Sequence, residues 1–298
     1  MSEPVGFIGT GTIGQPMARR LVDAGHRLHV FDLDRQAYAP LVEAGATPAA
    51  SPAAVAADCR IVFTSLPGPD QVRDVVVGDS GLLEGFRAGD VHVDLTTNSL
   101  EAVRELHRLE AGHGVSFLDA PVSGGAMGAA QGSLTVMASG SEEEFRRVSP
   151  LLEAFSSHRF YLGEPGNGTL VKLVNNAIFL CGGLVVQEAF VLAAKAGLDV
   201  RELLEIVKKS SGGVYSGLAG LFFGRDFDSP IFKLSIASKD VSLAVESAET
   251  LGVPMPVTRA AADLYAQAER AGLGPKVFFA TLAALEEAAG IEVPKIED

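Results

Sequence analysis

A glycine-rich hexapeptide near the N-terminus sets the tightest limit on how this chain folds. Gly9-Thr10-Gly11-Thr12-Ile13-Gly14 has the spacing G-x-G-x-x-G and directly follows the apolar run Val5-Gly6-Phe7-Ile8. That run reads as a strand, and the amphipathic segment over residues 15–24 reads as a helix. Between a strand and a helix the three glycines have separate duties. The first allows a tight turn, the second lets backbone approach a pyrophosphate, and the third lets helix and strand pack closely. The phosphates would lie at the helix N-terminus, where N–H groups and the helix dipole favour negative charge. The spacing therefore predicts a dinucleotide-binding βαβ unit, with Gly9, Thr10, Gly11, Thr12, Ile13 and Gly14 against the cofactor.

The rest of the first half continues the alternation. Strand-like runs at residues 5–9, 28–32, 61–65, 91–95 and 116–119 are interleaved with helical patterns at 15–24, 71–77 and 100–111. Such alternation implies βαβ units and a parallel sheet. Two more apolar runs, 134–138 and 159–162, flank a helix opened by the capping-box pattern Ser141-Glu142-Glu143-Glu144. After the breaker cluster Gly163-Glu164-Pro165-Gly166-Asn167-Gly168 only helical periodicity remains, over 168–196, 200–210, 238–251, 257–271 and 275–289. The 298 residues have room for two domains. The expected architecture is an α/β Rossmann-type domain over residues 1–164 and an all-helical substrate and oligomerisation domain over 165–298, joined by a long helix.

Asp32 closes the second strand-like run, 18 residues beyond Gly14, near the offset at which a carboxylate accepts hydrogen bonds from the adenosine ribose. A charge there repels a 2′-phosphate, which favours NAD. Arg35, three residues on, keeps NADP open.

Composition bounds the partners. With 24 Lys+Arg against 37 Asp+Glu the formal charge is −13, which argues against nucleic acid and acidic membranes. A local positive pocket for a small anion is still compatible with that total. Cys59 and Cys181 each sit in an apolar run and read as small buried hydrophobes in a reducing, cytoplasmic setting. The six histidines lack ligand spacing, so no metal is expected. Residues 1–4 carry no basic segment, which argues against a signal peptide. The apolar stretch 170–194 contains Lys172, Asn175, Asn176, Gln187 and Glu188, and reads as a buried helix rather than a membrane span. It is also longer than one small helical domain usually covers, so a homodimer or homotetramer is expected.

Four motifs in order carry a family resemblance over essentially the whole chain. They are Gly9–Gly14; Asp119-Ala120-Pro121-Val122-Ser123-Gly124-Gly125; Gly166-Asn167-Gly168 with Lys172 and Asn176; and Lys239-Asp240. In these the sequence resembles the β-hydroxyacid dehydrogenase family, which includes 3-hydroxyisobutyrate dehydrogenases, tartronate semialdehyde reductases and short glyoxylate/succinic semialdehyde reductases. The resemblance implies an NAD(P)-dependent oxidoreductase that interconverts a small anionic 3-hydroxy acid and its semialdehyde by hydride transfer. It assigns Lys172 as general acid/base, with Asn176 orienting the substrate or the lysine. It places Ser123, Gly124 and Gly125 at the substrate, Phe232 near the substrate pocket, and Leu66, Pro67, Thr97 and Lys239 at the cofactor.

The residues are chemically suited to those roles. A serine hydroxyl beside glycine N–H groups makes a concavity that a carboxylate can enter. Lys172 and Asn176 are four apart, on one helix face. A lysine in an apolar helix is costly unless paired or functional, and an alkoxide formed by hydride addition needs a positioned proton donor. Without the resemblance, Ser123-Gly124-Gly125 is also compatible with a plain turn, Lys172 with a snorkelling lysine and Phe232 with core. Lys239-Asp240 equally reads as a solvated helix start. Met127, Phe232 and residues 210–215 are candidates for setting substrate size.

The chain departs from the pattern at Ala138-Ser139-Gly140, where the family often has Gly-Gly. It has Asn175-Asn176 where 6-phosphogluconate dehydrogenases have His-Asn, so oxidative decarboxylation of a sugar phosphate is not expected. Two alternatives stand beside the main reading: an imine reductase, although those relatives usually lack the lysine, and a non-catalytic dinucleotide-binding module.

Overall fold

The computed structural model describes residues 3–229 and 231–296. Met1 and Ser2, which belong to the N-terminal reading above, lie outside it, as do Pro230, Glu297 and Asp298. The chain divides into two compact units, Met1–Leu173 and Val174–Asp298.

The first unit begins with β1 (Val5–Ile8), α1 (Gly14–Asp23), β2 (Leu28–Phe31), α2 (Arg35–Glu43), β3 (Thr47–Pro48), α3 (Pro52–Asp58) and β4 (Ile61–Thr64). It continues through α4 (Pro69–Val77), α5 (Leu82–Gly85), β5 (Val91–Asp94), α6 (Leu100–Gly112) and β6 (Ser116–Asp119). These strands form one parallel sheet in the order β3-β2-β1-β4-β5-β6. Both β1 and β5 are buried along their whole length, as parallel strands covered by helices on two faces must be. Neighbouring residues serve opposite faces. Phe7 and Phe63 join Met17, Leu21 and Val30 on one side, while Ile8 and Val62 join Val55, Val72 and Phe117 on the other. The strand order reverses between β1 and β4, which makes the ends of those strands the ligand-binding position of an open α/β sheet.

A second, three-stranded sheet follows, built from β7 (Val122–Ser123), β8 (Leu134–Ala138) and β9 (Ser156–Tyr161), with α7 (Gly125–Gln131) and α8 (Glu142–Leu152) between them. Ser141 caps α8 as its sequence pattern implies, accepting from the Glu144 N–H at 3.4 Å.

Some elements were not anticipated. β3 is two exposed residues with no apolar run behind it. α2 contains Pro40 and buries only Leu41, so its stripe is faint; it starts because Asp34 accepts from the Gln36 N–H. α3 is opened by Ser51 and Pro52, a start signal without a long periodic tail. α5 and α7 span four and seven residues, too short for a period to register.

The 29-residue α9 (Asn167–Lys195) begins in the first unit and continues into the second. By length and composition alone it could cross a membrane, yet more than half of its most apolar stretch is buried within the protein. The second unit adds α10 (Val200–Lys208), α11 (Ser216–Phe223), α12 (Leu234–Thr250), α13 (Pro256–Ala268) and α14 (Thr281–Ala289). Its described residues form no strand, only an isolated bridge between Lys233 and Val277. Phe222, Phe278 and Phe279 contact one another at its centre, with ring centroids 5.4–5.7 Å apart. α12 starts four residues before the expected 238, which places Lys239 and Asp240 in its second turn and corrects their reading as a solvated helix start.

Candidate active site

The fingerprint glycines divide into two kinds. A Cβ on Gly9 would stand 2.3 Å from the Ser65 carbonyl oxygen, and one on Gly14 would stand 1.9 Å from that of Gly9. The protein's own packing therefore demands both. Gly11 is exposed, and no protein atom lies within 4 Å of where its Cβ would be. That space is what a pyrophosphate approaching the backbone requires. At the start of α1 the N-cap Ile13 has no side chain to accept the first-turn N–H groups, and the first turn carries no acidic residue. The residues present thus fit a dinucleotide.

Asp32 stands directly beside this turn. Its Oδ2 accepts the Thr10 N–H at 2.7 Å and the Thr10 hydroxyl at 3.3 Å, and its Oδ1 accepts the Asp34 N–H at 2.9 Å. Three donors lock the half-buried carboxylate at the tip of β2. Arg35, the first residue of α2, is exposed.

The turns after β4 and β5 are tied to each other, since the Leu66 N–H donates to Thr96 Oγ1 at 3.0 Å. Pro67 is exposed and Thr97 half-buried. Asp94, which the sequence did not mark as functional, organises this region. Its Oδ1 accepts the Thr96 N–H at 3.1 Å and the Thr64 hydroxyl at 2.8 Å, and its Oδ2 accepts the Asn98 amide at 3.0 Å.

Ser123 ends β7, and Gly124 and Gly125 follow at φ 128° and 65°, backbone that side chains rarely adopt. Both glycines are exposed, so their backbone is accessible. Just upstream, Asp119 is buried and surrounded by donors. Its Oδ1 accepts from Ser139 Oγ at 2.6 Å and the Gly166 N–H at 3.0 Å, while Oδ2 accepts the Thr169 N–H at 2.8 Å. Burial pushes its carboxyl above the ordinary value, with these hydrogen bonds opposing. Asp119 thereby anchors the first turn of α9 to the end of β6. Lys172 follows three residues after Thr169 and is 8% exposed.

In the second unit Asn176 is 5% exposed, and its amide nitrogen donates to Asp240 Oδ2 at 2.7 Å. Its oxygen accepts from Asn175 at 3.1 Å. Asp240 is 1% exposed, and Lys239 Nζ lies 2.9 Å from its other oxygen, an ion pair not aligned as a hydrogen bond. The structure thus gathers Asn176, Lys239 and Asp240. Phe232 is half-buried against the aromatic core, with its ring centroid 5.5 Å from that of Phe278. Met127 is exposed, and residues Ser211–Tyr215 form a 3₁₀ turn whose Val214 is exposed. Among the described residues no group of three or more His, Cys, Asp or Glu gathers to hold a metal.

A parallel sheet that reverses its order at an open glycine turn belongs to proteins that bind dinucleotides, and comparison with known proteins gives the same class. Residues 4–163 match the family profile described as the NAD binding domain of 6-phosphogluconate dehydrogenase. Residues 166–285 match that described as NAD-binding of NADP-dependent 3-hydroxyisobutyrate dehydrogenase. These profiles define a nicotinamide-dinucleotide-dependent oxidoreductase. The 2-(hydroxymethyl)glutarate dehydrogenase of Eubacterium barkeri is 35% identical over 97% of this chain and 97% of its own. The 3-sulfolactaldehyde reductase of Escherichia coli (strain K12) is 34% identical over 96% and 97%. The solved structure of Mycobacterium tuberculosis 3-hydroxyisobutyrate dehydrogenase with L-serine superposes with a TM-score of 0.87 at 31% identity, covering 96% of this chain and 99% of that one. The chain belongs to the β-hydroxyacid dehydrogenase family. It is an oxidoreductase of the hydroxy acid and semialdehyde class, and neither imine reduction nor a non-catalytic module is favoured.

Proposed function

We propose that the protein interconverts a small anionic 3-hydroxy acid and its semialdehyde, preferentially with NAD, and that Lys172 is the general acid/base. The observation that carries this is Lys172 itself, the one buried lysine among the described residues. It stands one helical turn before the buried amide of Asn176. Its burial beside Asn176, at the position the family resemblance gives to the proton donor, supports a chemical duty.

When bound, the dinucleotide supplies or accepts the hydride. In the reducing direction Lys172 Nζ gives a proton to the carbonyl oxygen as negative charge develops there; in the oxidising direction it takes the hydroxyl proton. Asp240 holds the Asn176 amide, so Asn176 presents its polar group in one orientation. The Ser123 hydroxyl and the accessible backbone of Gly124 and Gly125 suit the substrate carboxylate. Phe232 enters the reading as a boundary of the substrate region and Lys239 as a cation near the bound anions. Leu66, Pro67 and Thr97 would line the cofactor, and Asp32 would accept from its ribose hydroxyls and repel a 2′-phosphate, which is the support for NAD.

The protein works as a homodimer or homotetramer in this reading. Val171, Val174, Ile178, Val185 and Leu192 form an exposed apolar stripe at helical spacing on α9, suited to a second copy of the chain. The two thiols suit a cytoplasmic setting: neither is exposed, and burial pushes Cys59 up to about 12, where it stays protonated and inert.

Lys172→Ala tests the central role. Turnover of a panel of small 3-hydroxy acids and semialdehydes, followed by nicotinamide absorbance with both cofactors, should fall roughly 10²–10⁴-fold while dinucleotide binding persists. Near-native turnover in that variant would remove Lys172 from the chemistry.

A further inference from the structure

The core beneath β4 and β5 contains a charged pair for which the chemistry above has no use. His92 on β5 and Glu110 on α6 are both fully buried, with Nδ1 of the imidazole 2.8 Å from Oε1 of the carboxylate. The Phe117 ring meets His92 edge-on at 5.1 Å, and that of Phe86 lies 6.3 Å away. Glu110 Oε2 has no hydrogen-bond partner. Well-packed apolar residues commonly stabilise such a place as well or better, so stability does not account for the pair.

Its hydrogen bonds lead elsewhere. His92 Nε2 is 2.8 Å from Thr64 Oγ1, and the Thr64 hydroxyl donates to Asp94 Oδ1 at 2.8 Å. A hydroxyl has one proton, so with that proton on Asp94 the imidazole must donate from Nε2. Asp94 then holds the Thr96 N–H and the Asn98 amide, and Thr96 holds the Leu66 N–H. A continuous line thus runs from Glu110 to the turns after β4 and β5, which carry Leu66, Pro67 and Thr97.

We propose that His92 and Glu110 are positioning residues for the dinucleotide: by directing the Thr64 proton onto Asp94, they hold residues 64–67 and 94–99 in the shape that binds the cofactor. This rests on the reading that those turns face the cofactor.

The arrangement has a pH signature. Two charged groups face His92: Glu110 on α6 and Asp94 on its own strand. Thr64 on β4, Phe117 on β6 and Phe86 present none. Burial alone would push the imidazole down, but the charge and hydrogen bond of Glu110, with Asp94 behind, hold it above the ordinary histidine value. As pH rises through that raised value the ring keeps one proton, and the Glu110 carboxylate draws it to Nδ1. Nε2 then becomes an acceptor, the Thr64 hydroxyl turns from Asp94 to His92, and Asp94 loses a donor. Cofactor binding weakens with rising pH.

The test is NADH binding to the full chain by nicotinamide fluorescence, from mildly acidic to alkaline pH, with melting recorded for every variant. Wild type should lose about tenfold in affinity across the range, the scale of one lost hydrogen bond to a charged group. Glu110→Gln should bind as wild type does at low pH and stay flat, because with the Glu110 charge gone the Asp94 charge keeps the ring proton on Nε2, where it donates to Thr64. The double variant His92→Phe/Glu110→Leu removes the competing acceptor and leaves the Thr64 proton on Asp94, so it should keep a folded apolar core, bind as wild type does at low pH and stay flat as pH rises, with unchanged kcat at saturating cofactor. A pH-independent wild type, or a Glu110→Gln variant that retains the wild-type slope, overturns the positioning role. If the double variant does not fold, the Glu110→Gln profile decides alone. Thr97→Ala separates the two layers of inference. If it binds NADH unchanged, the reading of the turns fails and the proposal with it. If it binds more weakly while the double variant keeps the wild-type pH slope, only the positioning role is lost.

Discussion

Asp119→Asn removes one charge and one acceptor, and should loosen the start of α9. Every group around the carboxylate is a donor: Ser139 Oγ and the Gly166 N–H at Oδ1, and the Thr169 N–H at Oδ2. Ser139 cannot reverse its role without loss, because its single proton, now donated to the carboxylate, would have to find another buried acceptor. An asparagine amide offers a single oxygen. With that oxygen at the Oδ1 position, the NH₂ faces the Thr169 N–H; flipped, it faces the Gly166 N–H. Either orientation sets a buried backbone donor against another donor. One lost charge-assisted bond costs about 1.5–3 kcal/mol, and the orphaned N–H about 1–3 more. Against this, a carboxyl that burial has already pushed upward recovers part of its desolvation when the charge is removed. The net cost should be about 2–4 kcal/mol, lowering the melting temperature by roughly 4–15 °C for a chain of this size. Circular-dichroism melting reads this directly, and turnover at a permissive temperature should fall with it, because Lys172 stands in the second turn of the loosened helix. A variant melting within about 1 °C of wild type would refute the assignment of Asp119 as the anchor of α9.

The fingerprint glycines should respond in opposite ways. Gly14→Ala forces a Cβ to within 1.9 Å of a backbone oxygen and should fail to fold or melt far earlier. Gly11→Ala meets no protein atom and should melt as wild type while losing dinucleotide affinity in titration; unchanged affinity would count against a pyrophosphate there. Asp32→Ser removes the charge that repels a 2′-phosphate, so the NAD/NADP ratio of kcat/KM should fall by about tenfold or more, and an unchanged ratio would point to another determinant.

Much of this was legible in the sequence, because the informative signals were local. The glycine fingerprint, the short apolar strand runs and the capping box at Ser141 each involve neighbours in the chain, and β1, β2, β4, β5 and β6 lie within a residue of their expected ends. Where the local signal was short or broken, reading failed: β3 and α5 are too brief, Pro40 interrupts α2, and Lys233 gives α12 no side-chain cap to mark its start. The candidate site divides in the same way. Lys172 and Asn176 could be paired from helical spacing, whereas the functions of Asp94, Asp119, Asp240 and His92 come from partners brought from distant parts of the chain.

The sequence by itself determined that a parallel α/β unit precedes a helical one, that a G-x-G-x-x-G turn joins the first strand to the first helix, and that a lysine and an asparagine share a helix face. These follow from period, glycine spacing and the cost of a lysine in an apolar run. Only the tertiary structure gave the carboxylates their partners, including Asp32, which its offset from the glycine turn had already marked. Asp32 locks onto the fingerprint, Asp119 holds α9, Asp240 orients Asn176, and Glu110 reaches Asp94 through His92 and Thr64. The reason is physical: a buried charge is defined by the donors that surround it, and those donors come from residues far apart in the chain that only folding brings together.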